Sequence, residues 1–357
     1  MAEPVPSVYG RNVRIQGALL KKVSITDVAR HAGVSVSTVS LVLRRKGNIS
    51  ESTTRKVHTS IGELGYIHNV AAANLRASTS NLIGLILPNF NDSFSVQVMS
   101  SIVRELETQG FMVFLAHPLN EYEHLEHCLL SFKQQRVAGI IYLASDTCSD
   151  TLPAQIRQCP LPLVAISQSP IRDNCNRVIR DNQQAAYLAT HYLLGRGHRY
   201  IAYIGGQEHD LVRQQRLAGF HNAMAHSGIL YRDNFSPVCD DNTLAACQAT
   251  RLLLENKNTI TALLCHSLDV MIGCLNGIRQ VGRTVGKDIF LTRQVALIGF
   301  EDTLYVNLSS PAFTYISSAS EKTGRQAANL LIRKIREPTQ QTQYVTISGR
   351  LILRETA

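Results

Sequence analysis

From Asn81 to the C-terminus, short apolar runs alternate with longer amphipathic stretches, and this alternation constrains the fold more than any other feature. The runs have the length of buried strands and lie at 82–87, 111–115, 139–143, 163–166, 200–204, 262–264 and 295–298. Helical periodicity marks 96–110, 183–195, 214–228, 268–281 and 320–335. Strand–helix alternation predicts parallel α/β layers, and the number of units favours two sheets and a two-lobed core. We expect a ligand in the cleft between the lobes.

The core lacks the motifs that mark common enzymes. No G-x-G-x-x-G follows a strand, and there is no G-x-S-x-G. Gly277 and Gly282 have phosphate-loop spacing, but Arg283 and Thr284 follow where Lys and Ser/Thr are required. The eight cysteines include no C-x-x-C pair. We therefore expect no catalytic residue, no cofactor and no metal.

Positive charge is concentrated in the first fifth of the chain. Residues 1–78 hold 11 Lys/Arg against 4 Asp/Glu, whereas the remaining residues hold 25 against 23. A basic segment joined to a nearly neutral body is typical of a nucleic-acid-binding domain.

Helix signals divide residues 23–68 into three short helices. Ser24, Ser35 and Ser50 are placed to cap the first, second and third helices. Gly33 ends the first helix and Gly65 ends the third. The pattern predicts a small all-α head with a helix-turn-helix, in which Val36, Val39 and Leu43 form the inward row of the second helix. Hydroxyls at helix starts are natural phosphate ligands. We expect phosphate contacts from Ser24, Ser35, Thr38, Ser40, Arg44, Ser50, Thr53 and Tyr66.

The N-terminal segment 1–22 has no apolar region of the kind found in secretory signals, and no apolar stretch is long enough to span a bilayer. We expect a cytoplasmic protein in which residues 1–22 form a disordered extension.

The run from Ser24 to Leu43, SITDVARHAGVSVSTVSLVL, resembles the N-terminal signature of the lactose-repressor/galactose-repressor family, and most closely its maltose-regulon-repressor branch. The resemblance implies that the second helix enters the DNA major groove, with Val36, Ser37 and Leu41 facing base edges. Leu41 departs from the family, which commonly has Arg or another polar residue there. Leucine can contact only apolar features such as a thymine methyl.

The segment 69–79 resembles the hinge helix of the same family. The resemblance implies that Asn69 and Leu75 act in the DNA minor groove, with Leu75 inserted as a wedge between base steps.

The core resembles the family's effector-binding domain in the runs VIRDN at 178–182, RLAGF at 216–220 and GFED at 299–302. The resemblance implies an effector site that includes Phe94, Arg216 and Glu301, with a sugar or sugar phosphate as ligand. An interlobe salt bridge is the alternative role for Arg216. His266-Ser267 replaces the family's common Asn-Asp, which removes a carboxylate that often holds a sugar hydroxyl.

These assignments predict a head at 23–68, a hinge at 69–79, a first lobe at 80–180 and 318–344, and a second lobe at 181–317 and 345–357. The chain ends without leucine heptads, so we expect a homodimer and a pseudo-palindromic operator. The family implies a repressor of carbohydrate-utilisation genes. The alternatives are a two-lobed solute-binding protein, an α/β enzyme of sugar metabolism, or an activator or co-repressor-dependent regulator.

Overall fold

The computed structural model describes residues 23–43, 47–66, 80–87, 90, 93–118, 123–144, 152–167, 175–229, 235–288, 291, 293–300 and 309–357. The chain divides into two compact units, Met1–Ala77 and Ser78–Ala357, called here the head and the core. Within the described residues, no helix has both the length and the apolar character needed to cross a membrane.

The described part of the head contains three helices, α1 (Ile25–Ala32), α2 (Val36–Leu43) and α3 (Glu51–Leu64). A capping box starts α1: the Ser24 hydroxyl accepts from the Asp27 N–H, and the Asp27 carboxylate accepts from the Ser24 N–H. Gly33 ends α1 with a φ of 66°, a conformation that glycine adopts without steric penalty. Because this turn leads directly into α2, the helix-turn-helix prediction is confirmed.

A small apolar core holds the head together. Val28, Val39 and Val57, one from each helix, are fully buried. Partly buried apolar side chains surround them, among them Ile25, Leu43, Ile61 and Leu64. The predicted inward row of α2 is wrong at Val36, which is 41% exposed, while Val42 is buried. At about 100° per residue, Val36 lies roughly 60° from Val39 and 120° from Val42 around the helix, at the margin of the buried side.

The first lobe of the core is built on a parallel sheet. Its strands are β1 (Leu82–Ile86), β2 (Met112–Ala116), β3 (Gly139–Leu143), β4 (Leu163–Ser167), β5 (Asn176–Arg180) and β11 (Tyr344–Ile347). Their order is β11-β5-β4-β3-β1-β2. The helices are α4 (Ser93–Thr108), α5 (Glu123–Gln134), α6 (Ala154–Arg157) and α11 (Ser320–Arg336). Apolar clusters pack around this sheet, as a buried parallel sheet requires.

The second lobe repeats this architecture. Its strands are β6 (Ile201–Ile204), β7 (Ala262–Cys265), β8 (Thr284–Val285), β9 (Gln294–Phe300), β10 (Thr314–Ser317) and β12 (Arg350–Ile352). The order is β12-β10-β9-β7-β6, with β8 paired to β9, and only the β10–β12 pair is antiparallel. The helices are α7 (Asn182–Gly195), α8 (Leu211–His226), α9 (Thr243–Asn256) and α10 (Leu268–Gln280). The predicted two-lobed α/β core is confirmed.

The chain crosses between the two sheets after β5, after β10 and after β11. The last crossing corrects the boundary expected at residue 344. Tyr344–Ile347 adds to the first sheet in parallel register with β5, so the return to the second lobe follows Ile347.

Glycines allow close contact between neighbouring helices within each lobe. On α8, a β-carbon at Gly219 would lie 2.0 Å from the Gln183 carbonyl oxygen of α7. On α11, a β-carbon at Gly324 would lie 2.5 Å from the Val98 carbonyl oxygen of α4. The first contact fixes the position of α8, which carries Arg216 one turn before Gly219.

Candidate DNA-contacting face and effector pocket

One continuous face of α2 is open to solvent. Val36 and Leu41 are 41% and 38% exposed, Ser37 is exposed, and Ser40 lies partly exposed between them. At about 100° per residue, these four side chains span roughly 140° of the helix surface. The three residues expected to contact bases therefore share one accessible face.

Serine hydroxyls stand at the start of each head helix. The side chains of Ser24, Ser35 and Ser50 accept hydrogen bonds of 3.1–3.3 Å from the backbone N–H groups of Asp27, Thr38 and Thr53. The positive end of each helix dipole lies at the same place, which favours an anion. Of the expected phosphate contacts, these described residues are all at least partly exposed: Ser24, Ser35, Thr38, Ser40, Ser50, Thr53 and Tyr66.

Some expected site residues lie outside the described part of the chain. They are Arg44 after α2, Asn69 and Leu75 in the expected hinge, and Glu301 after β9. Their roles rest on the sequence alone.

A small pocket, with a cavity volume of about 20 Å³, lies where the three crossings between the lobes come together. Both lobes contribute to its wall. The lining residues are Arg180, Asp181, Asn182, Ala185, Arg216, Phe300, Ile316, Ser317, Ser318, Ile347 and Gly349. The wall combines charged and hydroxyl groups with apolar surface, which is the usual composition of a small-molecule site.

Arg216 is a charged residue of this pocket wall that is only 3% exposed. Its guanidinium carbon lies 4.0 Å from the centre of the Phe300 ring, and its Nη1 donates to the His266 carbonyl oxygen. Its Nε has no hydrogen-bond partner among the described residues. A buried donor without a partner costs about 1–3 kcal/mol, so a ligand oxygen placed here would gain a hydrogen bond that the protein lacks.

Phe94 occupies a position that differs from the expected one. It is buried, and the guanidinium carbon of Arg180 lies 3.6 Å from the centre of its ring. Arg180 lines the pocket, so Phe94 supports a charged wall residue from beneath. The expected apolar wall is supplied by Phe300 and Ile316.

A chain of hydrogen bonds holds the backbone next to Arg216. The Tyr203 hydroxyl lies 2.8 Å from His266 Nδ1, and His266 Nε2 lies 3.0 Å from an Asp210 carboxylate oxygen. Asp210 also caps α8 by accepting from the Val212 N–H at 2.8 Å. This series of hydrogen bonds joins β6, the end of β7 and the start of α8. Because Tyr203 is fully buried, we interpret it as a brace that positions the His266 carbonyl oxygen.

The two end residues of this hydrogen-bonded series, Asp210 and Tyr203, have shifted pKa values. Burial by itself raises the pKa of the Asp210 carboxyl, but interactions with His266, the hydrogen bond from the Val212 N–H and the charge of Arg216 together hold that pKa below its ordinary value. Burial raises the pKa of Tyr203, which keeps its hydroxyl protonated. Asp210 therefore stays charged and able to accept from His266 at neutral pH.

The sequence alone did not identify Arg180, Phe300 or the Tyr203–His266–Asp210 chain as parts of this site. The available signal was His266-Ser267, which departs from the family pattern immediately after a strand. The structure shows that His266 joins the brace, while Ser267 caps α10 and donates to Asp241.

A helix-turn-helix head with an exposed second helix and a two-lobed α/β core with an interlobe pocket define the class of DNA-binding transcriptional regulators that carry a ligand-binding domain. Two family models match the chain. The model for bacterial regulatory proteins of the lacI family matches residues 24–69, and that for periplasmic binding proteins and sugar binding domains of the LacI family matches residues 80–355. The chain belongs to the LacI family.

Individual relatives agree with this assignment. The maltose regulon regulatory protein MalI of Escherichia coli is 33% identical, with 94% of this chain and 99% of that protein covered. The transcriptional repressor PurR of Vibrio parahaemolyticus is 26% identical, with 93% and 98% covered. Among solved structures, the transcriptional regulator CelR–cellobiose complex is 25% identical with a TM-score of 0.68, covering 94% of this chain and all of that one. The lac repressor dimer bound to operator and the anti-inducer ONPF is 23% identical with a TM-score of 0.77, covering 94% and 99%, and shares the fold.

Proposed function

We propose that this regulator is a repressor of carbohydrate-utilisation genes whose operator affinity changes when a small ligand binds between the lobes. The observation that carries the proposal is that Arg216 lies buried in the wall of a pocket lined by both lobes, with no partner for its Nε among the described residues. A ligand held there contacts both lobes, so it favours one arrangement of the lobes over another.

The ligand is a sugar or sugar phosphate. Arginine donates equally well to hydroxyl and phosphate oxygens, and the pocket wall also contains the apolar side chains of Phe300 and Ile316. MalI is named for the maltose regulon, and CelR was solved with cellobiose, which supports a carbohydrate ligand. Glu301, directly after Phe300, is proposed to accept from a ligand hydroxyl.

The DNA side of the proposal is a homodimer on a pseudo-palindromic operator, acting in the cytoplasm. The lac repressor was solved as a dimer on its operator, which supports this assembly. Val36, Ser37 and Leu41 face bases, the head hydroxyls and Arg44 contact phosphates, and Asn69 and Leu75 enter the minor groove. Pocket occupancy reaches the DNA through the hinge at 69–79.

A ligand screen tests this function. The full chain is combined with a panel of sugars and sugar phosphates and followed by dye-based thermal unfolding, since the chain has no tryptophan to report binding. Compounds that raise Tm are then added to the protein on a labelled operator obtained from a random DNA pool. The proposal predicts a change in operator affinity of about 5- to 150-fold.

Two arginine variants assign the site. Arg216→Ala should lose both the Tm shift and the change in operator affinity while it still binds operator without ligand. Arg251→Ala, at a solvent-facing position that pairs with Glu255 on α9, should keep both. A ligand that binds wild type but leaves operator affinity unchanged would contradict the proposal, and an undiminished response in Arg216→Ala would place the effector elsewhere.

A further inference from the structure

The exposed face of α2 carries little of the chemistry that usually distinguishes bases. Its side chains are those of Val36, Ser37, Ser40 and Leu41. None has the guanidinium, amide or carboxylate group that pairs with a base edge through two hydrogen bonds or accepts from cytosine. In the major groove, the apolar feature that a base edge offers is the 5-methyl group of thymine.

The two apolar side chains of this face are accessible. Val36 and Leu41 are about as exposed as each other, at 41% and 38%, although both belong to a helix whose other side is buried in the head core. Gly47 keeps Leu41 open. With a φ of 87°, a β-carbon at residue 47 would lie 3.7 Å from both terminal methyl carbons of Leu41, so a longer side chain there would cover it.

The hydroxyl of this face nearest the helix start already has a partner. Ser37 Oγ lies 2.7 Å from Ser35 Oγ, and Ser35 itself caps α2 by accepting from the Thr38 N–H. The hydroxyl of Ser37 is thus tied to the start of the helix, where phosphate binding is favoured. A serine hydroxyl can both donate and accept, so Ser37 and Ser40 have little preference among base edges. Val36 and Leu41 are the side chains of this face whose chemistry favours one base feature, the thymine methyl group.

We propose that α2 recognises thymine 5-methyl groups, with Val36 and Leu41 each covering one thymine in every operator half-site. This inference rests on the proposed function, because it names the base chemistry selected by the same DNA-contacting helix.

Removal of single methyl groups tests the inference with the wild-type full chain. In the selected operator, each thymine is replaced in turn by deoxyuridine, which removes the methyl group and keeps the base pair. Two thymines per half-site should respond, each lowering affinity about fourfold, the factor expected for burial of one methyl-sized group. Replacing the same thymine in both half-sites should give about 16-fold.

Variants connect each methyl group to a side chain. Leu41→Ala should abolish the uridine effect at one of the two positions, and Val36→Ala should abolish it at the other. Leu130→Ala, which removes an exposed leucine from α5 of the core, should preserve both effects. Leu41→Arg, carried through a new selection, should exchange the thymine that Leu41 covers for a guanine, because arginine pairs with guanine through two hydrogen bonds.

The methyl inference and the proposed function have different failing outcomes. If the chain binds a selected operator tightly but no replacement of thymine by deoxyuridine lowers the affinity by more than about twofold, the methyl inference is wrong and the regulator function stands. If no operator is enriched, the proposed function fails and the inference with it. The uridine series uses only wild-type protein, so a variant that fails to fold does not affect the decision.

Discussion

Replacing Gly219 by alanine perturbs the contact that positions Arg216. The new β-carbon would lie 2.0 Å from the Gln183 carbonyl oxygen, 2.9 Å from its carbonyl carbon and 3.0 Å from the Tyr187 nitrogen. All three atoms belong to the backbone of α7, so no side-chain rotation relieves the clash. An ordinary contact begins near 3.4 Å, and α8 must therefore move away from α7 by more than ~1 Å.

The free energy of this change is the balance of two effects. Alanine is favoured over glycine inside a helix by about 0.5–1 kcal/mol. Overpacking a well-packed interior costs about 1–3 kcal/mol, and the rigid backbone here places Gly219 toward the upper end of that range. We expect a net loss of roughly 2 kcal/mol and a fall in Tm of about 4–8 °C for a unit of this size.

Gly195→Ala is the matched control. Gly195 is also helical, at the end of α7, but no heavy atom lies within 4 Å of the position that its β-carbon would take. The same chemical change should leave stability equal to wild type or raise it by about 0.5 kcal/mol. Both variants are followed by far-ultraviolet circular dichroism during thermal and urea unfolding. If Gly219→Ala unfolds at or above the Tm of Gly195→Ala, the argument for close packing of α7 and α8 is refuted.

Further predictions concern pH, the head and the hinge. Burial, and then the charge of Arg196, lower the pKa of His198 to about 4 from an ordinary 6.5. Protonation of His198 therefore favours the unfolded chain. The free energy of unfolding should fall between pH 6.5 and 4, by roughly 2 kcal/mol at pH 5. In urea unfolding at pH 7 and pH 5, His198→Gln should show a smaller loss than wild type; an equal loss would mean that His198 does not titrate in this way. Ser50→Ala removes the cap of α3 and should lower head stability by about 1 kcal/mol, measured by circular dichroism during urea unfolding of the full chain. Leu75→Ala should weaken operator binding in fluorescence anisotropy while leaving Tm and ligand binding intact, and unchanged operator affinity would remove the wedge role.

The apolar runs of the core predicted strands because residues buried on both sheet faces leave a continuous hydrophobic signal. β3, at Gly139–Leu143, has the predicted bounds. β5 gave a weaker signal, since its sequence NRVIR alternates polar and apolar residues. β11 is half exposed at the edge of its sheet and gives no continuous apolar run, and the predicted boundary at residue 344 divides it between the lobes.

The two candidate sites differ in how far they can be predicted from the sequence. The face of α2 follows from local helical geometry, because residues on one short helix keep fixed relations to each other. The pocket depends on pairs that are distant in sequence, such as Arg180 stacked on Phe94 and His266 bonded to Asp210. No periodicity in the sequence encodes those contacts. Arg216 was found through the family resemblance, while its unpartnered Nε emerged only from the packing around it.

The most direct measurement is selection of bound sites by the full chain from a random DNA pool, followed by a salt titration on the enriched sequence. We expect a pseudo-palindrome bound with a Kd of about 10⁻⁸ M or tighter at physiological salt. The affinity should fall by about 10³-fold or more between 50 and 200 mM salt, as expected for several phosphate contacts. Failure to enrich any sequence, with weak binding equal on all DNA, would contradict the account and leave the ligand-binding core without a regulatory output.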